Sequence, residues 1–179
     1  MSRAFVDEDA ERDGEAPEIK SPIPQGSRNY LSPEGADRLT RELHELVAEE
    51  RPRILADLAR ATAGAAESDP EAVAALRRAL GVLDRRVEYL VRMSLLAEVL
   101  PRPPEGYDRV KFGARVRLQD ATGQESSFRI VGIDEAEPES GLIGWTAPLA
   151  RALVGKRVGE TATAKLPGGD KNFRILAID

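Results

Sequence analysis

The stretch that decides the fold is residues 68–90, which read SDPEAVAALRRALGVLDRRVEYL. It opens with a helix start signal, because the polar residue Asp69 precedes a proline at the first helical position and an acid in the first turn. Its large apolar residues then alternate at spacings of three and four: Val73, Leu76, Leu80, Leu83, Val87 and Leu90. That period marks one face of a long helix, so the stretch predicts an amphipathic helix that packs against a second one.

The second helix of the pair is predicted upstream. Residues 31–34 give the same start signal, with Ser32 as the N-cap. An apolar stripe follows at Leu39, Leu43, Leu46, Ile54, Leu55 and Leu58. Pro52 interrupts it and predicts a kink near Glu49, because proline removes one backbone hydrogen bond. Two helices of roughly 30 residues, joined by a short loop, predict an antiparallel coiled-coil hairpin over residues 30–100, about 45 Å long.

A linker and a β-rich domain follow the hairpin. Prolines end the second helix and open a linker over residues 101–106, at Pro101, Pro103 and Pro104. The period then becomes two, which predicts five strands: Val110–Leu118, Ser126–Ile133, Leu142–Trp145, Thr161–Leu166 and Asn172–Ile178. A short helix is predicted at Pro148–Val154. Residues 107–179 are therefore expected to form an α+β domain with its own core.

The N-terminal segment differs from both domains. Residues 1–29 carry seven acids against four bases and few apolar side chains. Such a segment cannot bury enough apolar surface to offset its ordering entropy, so we predict a mobile acidic tail. It is either a solubilising tail or, through Phe5 and Val6, a short docking patch.

Composition excludes several classes of protein. The 179 residues contain no cysteine and one histidine, His44, so disulfides, thiolate metal sites and multi-histidine sites are excluded. No apolar run is long enough to span a bilayer, and we expect a soluble cytoplasmic protein. The net charge is −5, so the chain lacks the strongly basic surface of a protein that binds duplex nucleic acid.

Several motifs occur together in order, and their set resembles the Gre transcript-cleavage factors, GreB more closely than GreA. They are Asn29-Tyr30-Leu31-Ser32-Pro33-Glu34-Gly35, Glu49-Glu50-Arg51-Pro52, Leu83-Asp84-Arg85-Arg86-Val87-Glu88-Tyr89-Leu90, Phe112-Gly113-Ala114, Phe128-Arg129-Ile130-Val131-Gly132, Asp134-Glu135, Pro148-Leu149-Ala150-Arg151-Ala152-Leu153-Val154-Gly155-Lys156 and Pro167-Gly168-Gly169. The resemblance runs from about residue 30 to residue 178.

The resemblance implies an N-terminal coiled coil and an FKBP-like C-terminal domain that docks on bacterial RNA polymerase. In that family the coiled coil enters the secondary channel of the polymerase. Its acidic tip completes the coordination of a second Mg²⁺ at the polymerase active centre, and this ion activates a water that cleaves backtracked RNA.

The tip departs from the family pattern, which reads D-x-x-E followed by N-A-[DE]-Y. An ungapped count from Asp84 places Ala66 at the aspartate position and Asp69 at the glutamate position. The acids present are Glu67, Asp69 and Glu71. In one interpretation they hold Mg²⁺ shared with the polymerase, or form an acidic plug. In the other, Asp69 is an N-cap, Glu71 is a first-turn acid and Glu67 is solvated.

Two further groups of residues are implied by the resemblance. The docking loop of the family aligns with Thr146, Ala147 and Pro148, followed by Arg151 in the short helix. A basic patch near the RNA 3′ end corresponds to Arg51, Arg53, Arg60, Arg77 and Arg78, which also fit a solvated helix face because acids are interspersed with them. Trp145 is expected to be buried in the sheet or to contact the partner.

We therefore expect a monomeric regulator that binds the secondary channel of RNA polymerase in the elongation complex. It has no catalytic chemistry of its own and is weak or inactive in transcript cleavage. The alternatives are an active cleavage factor using Glu67, Asp69 and Glu71, and a prolyl isomerase or chaperone suggested by the FKBP-like fold alone.

Overall fold

The structure is a computed structural model that describes residues 23–63, 69–102 and 106–179. Its N-terminal half is the predicted helical hairpin, with Ser32 and Asp69 as the N-caps of the two arms. The elements are β1 (Asn29–Leu31), α1 (Pro33–Glu45), a π-helical segment (Leu46–Glu50), α2 (Arg51–Ala63), α3 (Pro70–Leu95) and β2 (Ala97–Val99). The first arm runs through α1, the π segment and α2 without a break, and α3 packs against it.

The predicted disturbance before Pro52 takes the form of the π segment. The backbone N–H of Arg51 donates to the carbonyl of Leu46, five residues back. Pro52 has no N–H, and its ring crowds the carbonyl of Ala48, four residues back. A widened turn is one way in which a helix absorbs such a conflict and continues.

The base of the hairpin differs from the prediction. The prediction that the second helix runs to the prolines is wrong, because α3 ends at Leu95 and residues 97–99 form β2. This strand pairs in parallel with β1. Three-residue strands are too short to show a period of two, so the sequence pattern could not reveal them.

Residues 23–29, which the sequence assigned to the mobile tail, are held to the hairpin at their two ends, whereas residues 24–26 and Arg28 are exposed. Ile23 is 5% exposed and belongs to the core at the hairpin base. Asn29 is fully buried and donates from its side chain to the carbonyl of Met93 at 3.2 Å. The first part of the predicted tail, residues 1–22, lies outside the described residues.

The C-terminal half is an α+β domain built on a mixed sheet in the order β5-β4-β3-β7-β6. Its elements are β3 (Arg115–Asp120), β4 (Glu125–Val131), β5 (Leu142–Gly144), α4 (Pro148–Leu153), β6 (Thr161–Leu166) and β7 (Gly169–Ile178). β4 and β5 are parallel and the other pairs antiparallel. The predicted fold class, a helical hairpin followed by an α+β domain, is confirmed.

The first strand of this domain begins later than predicted. The segment from Val110 to Ala114 is not a strand, because Gly113 has a φ of +86° and turns the chain. Val110 is buried, and its backbone pairs with Gly155 and Lys156 after α4. Its apolar side chain thus fills the core without being in a strand.

The described residues form two cores, and these meet at one aromatic residue. The hairpin core contains Ile23, Leu31, Leu39, Leu90 and Met93. The core of the C-terminal domain lies between α4 and the inner face of the sheet. Trp145 packs against both cores, with its ring 5.3 Å from that of Tyr30 in an edge-on arrangement. No helix in the described part of the chain is long and apolar enough to cross a membrane.

Candidate functional site

The two arms of the hairpin are held together by an apolar seam and by ion pairs that cross it. Leu83 and Leu90 are buried along α3. Arg86 makes two hydrogen bonds to the carboxylate of Glu42, at 2.7 and 2.9 Å, and Arg51 donates to Asp84 at 2.9 Å. These side chains are more than a third exposed, so each pair adds little stability and mainly fixes the register of the arms.

At the tip, the structure places Asp69 in a capping role. One oxygen of its carboxylate accepts from the backbone N–H of Glu71 at 2.9 Å, and Pro70 occupies the first helical position. Glu71 is exposed in the first turn of α3, where its negative charge interacts favourably with the helix dipole. Ala66 and Glu67 lie outside the described residues.

The described residues of the tip make a poor match to the carboxylate pair of a magnesium site. Mg²⁺ demands near-octahedral oxygen ligands, and one oxygen of Asp69 is engaged by the cap. Within residues 23–63, 69–102 and 106–179, no group of three or more acidic or histidine side chains is arranged to hold a metal ion.

The joint between the hairpin and the C-terminal domain is built on a buried carboxylate, Glu135. It is 6% exposed and accepts from the backbone N–H groups of Ser32 and Gly132, each at 3.0 Å. The Ser32 hydroxyl donates to its second oxygen and accepts from the N–H of Gly35. The N-terminus of α1, in the hairpin, is thus capped in part by an acid of the other domain, with Arg38 3.8 Å away.

A second polar contact crosses the same joint. The hydroxyl of Tyr89 on α3 donates to Asp134 at 2.9 Å. Burial raises the pKa of Tyr89, and the hydrogen bond to Asp134 adds to this effect. The two neighbouring acids Asp134 and Glu135 therefore contact different arms of the hairpin and set its direction relative to the sheet.

The residues implied as a docking loop lie together at the start of α4. Thr146 and Ala147 are half-buried, whereas Pro148 and Arg151 are exposed. Trp145, just before them, is half-buried and packs against both cores. Its indole N–H is enclosed and has no hydrogen-bond partner among the described residues.

The five arginines implied as an RNA-proximal patch are not equally free. Arg51 pairs with Asp84 across the hairpin, and Arg60 pairs with Asp57 on its own helix. The remaining three are exposed and form no ion pair with any residue that the structure describes: Arg53, Arg77 and Arg78. Two of the five charges are thus partly neutralised within the hairpin.

Two features of the site were missed at the level of sequence. Glu135 belongs to the Asp134-Glu135 motif, but glutamate is rarely buried, and its partner Ser32 lies 103 residues away, so no local signal marks it as a buried carboxylate. Val154 and Val158, which follow α4, are 51% and 57% exposed. Isolated valines give no signal of this kind.

Comparison with known proteins decides the family. A model of the N-terminal domain of transcription elongation factors matches residues 29–99, and the model "Transcription elongation factor, GreA/GreB, C-term" matches residues 104–179. The chain belongs to the GreA/GreB family. GreB of Xanthomonas axonopodis pv. citri (strain 306) is 37% identical over 159 residues, 88% of this chain and 95% of that protein. GreA of Thioalkalivibrio sulfidiphilus (strain HL-EbGR7) is 36% identical over 154 residues, 85% and 98% of the two chains.

These relatives carry both GreA and GreB names at nearly equal identity, so the identities do not favour either branch. Among solved structures, GreA factor homolog 1 (Gfh1) of Thermus thermophilus is 24% identical, with a TM-score of 0.41 over 85% of this chain and 99% of that one. A GreA/GreB factor of Nitrosomonas europaea is 21% identical, with a TM-score of 0.37 over 84% and 97% of the two chains. The family assignment of this Gre factor rests on the sequence comparisons.

Proposed function

We propose that this Gre-family factor binds bacterial RNA polymerase through its C-terminal domain and inserts the hairpin into the secondary channel. There it modulates transcription elongation and stimulates RNA cleavage weakly or not at all. Membership of a family of transcription elongation factors supports the first part. The capping role of Asp69 supports weak or absent cleavage, because it explains the presence of an acid at this position without a metal ion.

The chemistry of the tip supports weak cleavage. A second-ion site needs two carboxylates, and Ala66 brings a methyl group to the position where the family places one of them. Asp69 is one methylene shorter than the glutamate it replaces, and Pro70 limits how far the backbone can shift to compensate. Loss of one carboxylate removes both a charge and a ligand, for which water is a weaker substitute.

Docking is proposed to involve the exposed surface at the start of α4. Pro148 and Arg151 lie on it, and Thr146 and Ala147 shape the turn that leads into the helix. Arg53, Arg77 and Arg78 are the arginines best placed to meet the RNA 3′ end, because they form no ion pair with a described residue. The factor is proposed to act as a monomer with no cofactor of its own.

The decisive experiment uses backtracked elongation complexes with saturating full-length factor and Mg²⁺. The unmodified protein is compared with the double variant Ala66→Asp plus Asp69→Glu, which restores the D-x-x-E spacing. Cleavage is expected only in the double variant. A third protein, with Glu67, Asp69 and Glu71 changed to alanine, tests the alternative that these acids hold Mg²⁺.

Robust cleavage by the unmodified protein that is lost in the triple alanine variant would establish an active cleavage factor and overturn this proposal. Competition with an active Gre factor for the polymerase serves as a separate measure of binding, because it does not depend on cleavage. Turnover of a proline-containing peptide in an isomerase assay, without any binding to the polymerase, would instead favour the chaperone class.

A further inference from the structure

The outer face of the C-terminal sheet, on the side away from α4, carries four arginines. They are Arg115 and Arg117 on β3, Arg129 on β4 and Arg174 on β7. Side chains alternate along a strand, and the residues next to each arginine belong to the domain core or pack against it, so the arginines point to the other side. Three of them are exposed and Arg129 is half-buried. We call this set the arginine track.

The register of the strands makes the track continuous. Arg115 lies directly opposite Arg129 on the neighbouring strand, and Arg117 is two residues further along β3. Arg174 lies opposite Gln119, another two residues along the same strand. Neighbouring strands are about 4.8 Å apart and each residue advances a strand by about 3.3 Å, so the track crosses three strands diagonally over roughly 16 Å.

This arrangement brings like charges together without compensating acids. Arginines directly opposite each other on one face of an antiparallel pair repel. None of the four forms an ion pair with a residue that the structure describes. The acids nearest in the register are Asp179, opposite Arg115, and Glu125, opposite Gln119, and neither is within ion-pair distance of the track. The sheet thus carries a repulsion that a bound polyanion would relieve.

We propose that the arginine track binds the phosphate backbone of single-stranded RNA. A guanidinium group offers a rigid fork of donors that matches a phosphate, so a row of four suits a chain of phosphates. Neutral donors stand next to the track and can bond to the same backbone: Gln119, Ser127 and Thr161. The aromatic residues of these strands, Phe128 and Phe173, pack on the core side. Bases therefore find no ring to stack on, and binding is expected to be independent of base sequence.

The character of the face argues against a protein partner and against a duplex. A protein interface has an apolar centre, but between Arg129 and Arg174 the described strands place one large apolar side chain on this side, the half-buried Leu176 at the β7 bulge. A duplex is stiff over about 150 base pairs, whereas a single strand can follow a diagonal path on a twisted sheet. RNA is chosen because the chain belongs to a family of transcription elongation factors.

Fluorescence anisotropy of a labelled uridine oligonucleotide, about 15 nucleotides long, with the full-length protein tests the proposal. The track variant combines three substitutions: Arg115→Gln, Arg117→Gln and Arg174→Gln. The matched control removes the same charge at exposed positions outside the track, which also form no ion pair with a described residue: Arg41→Gln, Arg85→Gln and Arg157→Gln.

At physiological ionic strength, distant charges are screened over a Debye length of about 8 Å. The track variant is expected to bind RNA at least about tenfold more weakly, and the control to change affinity by less than about twofold. The slope of log K against log salt concentration should fall in magnitude from about 3 to about 1, because each phosphate contact of a single strand contributes about 0.7. Equal losses in the two proteins, or unchanged binding by the track variant, would overturn the proposal.

Two further ligands and one further measurement complete the test. Tighter binding of duplex DNA than of RNA, or equal binding of polyglutamate, would also overturn the proposal and assign the track to a duplex or to an acidic protein segment. The Tm of the track variant should be unchanged or higher, because its loss of Arg115 removes the repulsion with Arg129. Retained competition for core polymerase by the track variant separates this surface from the docking proposed at α4.

A lysine variant at the same three positions guards against a loss of fold. Arg115→Lys, Arg117→Lys and Arg174→Lys keep the charge but not the fork of donors. This variant should keep RNA affinity within about threefold of the unmodified protein, because most of the binding free energy comes from charge. A loss as large as that of the glutamine variant, with an unchanged Tm, would contradict an electrostatic contact with the phosphate backbone.

Discussion

The carboxyl carbon of Glu135 lies 2.3 Å from the position that a Cβ atom on Gly35 would occupy. The start of α1 thus rests directly on an acid of the other domain, and only a glycine leaves room for it. Gly132 meets the same carboxylate, with a Cβ position 2.5 Å from Oε2. The two glycines and the acid thus bring the hairpin and the C-terminal domain into close contact, beside the apolar contacts that Trp145 makes with the hairpin core.

Gly35→Ala should therefore destabilise the protein. The added methyl group meets a buried carboxyl group with four polar neighbours, which cannot swing away without losing them. We expect a loss of about 2–3 kcal/mol and a fall in Tm of roughly 4–10 °C by thermal unfolding. Gly81→Ala in α3 is the control, because its Cβ position has only an ordinary contact at 3.6 Å. It should be neutral or stabilising, since alanine is the better helix former.

Glu135→Ala and Glu135→Gln should differ widely in stability. Alanine leaves the N–H groups of Ser32 and Gly132 without an acceptor, which costs about 3 kcal/mol. Glutamine can still accept both bonds with its oxygen and donate to the Ser32 hydroxyl, so its cost should stay within about 1 kcal/mol. Urea denaturation measures both, with the exposed Glu139→Ala as a control. Equal losses for the two variants would show that charge, not hydrogen bonding, holds the joint.

The helical half of the fold could be predicted from the sequence because its signals are local. Ser32 and Asp69 are caps next to prolines, and the leucine stripe has the period of the structure it forms. Pro52 predicts an irregularity in the turn before it, because proline has no N–H to donate, and the π-helical segment lies there. The parallel pairing of β1 with β2 was not predictable, since it joins residues more than 60 positions apart with no period in either segment.

The candidate site was less predictable than the fold for a similar reason. The capping role of Asp69 is read from its neighbours, whereas that of Glu135 depends on Ser32, 103 residues away. Arg51 looked like one of five equivalent arginines, but the register of the hairpin brings Asp84 to it. Pairings across the hairpin and across the domain joint are set by packing, which a single sequence shows only through motifs.

Asp69→Asn separates the cap from the charge at the tip. Asparagine is as good an N-cap as aspartate, so α3 should keep its first turn, whereas Asp69→Ala should lose about 1 kcal/mol there. Amide exchange at Val73, whose N–H donates to the carbonyl of Asp69 at 3.1 Å, reports on that turn. We expect Asp69→Asn to retain both the protection and the effect on transcription. Loss of the transcriptional effect with intact protection would identify the carboxylate charge as functional.

Arg151→Glu should weaken binding to RNA polymerase while leaving the fold intact. Arg151 is exposed on α4, forms no ion pair with a described residue, and stands beside Pro148 and the exposed Val154. Reversal of a charge at the rim of an interface slows association and is expected to lower affinity roughly tenfold, more at low salt than at high salt. Lys165→Glu makes the same charge change on the opposite face of the sheet, because its neighbour Ala164 is the buried residue that faces the core. Competition against a labelled Gre factor for core polymerase gives both affinities, and equal losses in the two variants would refute docking through α4.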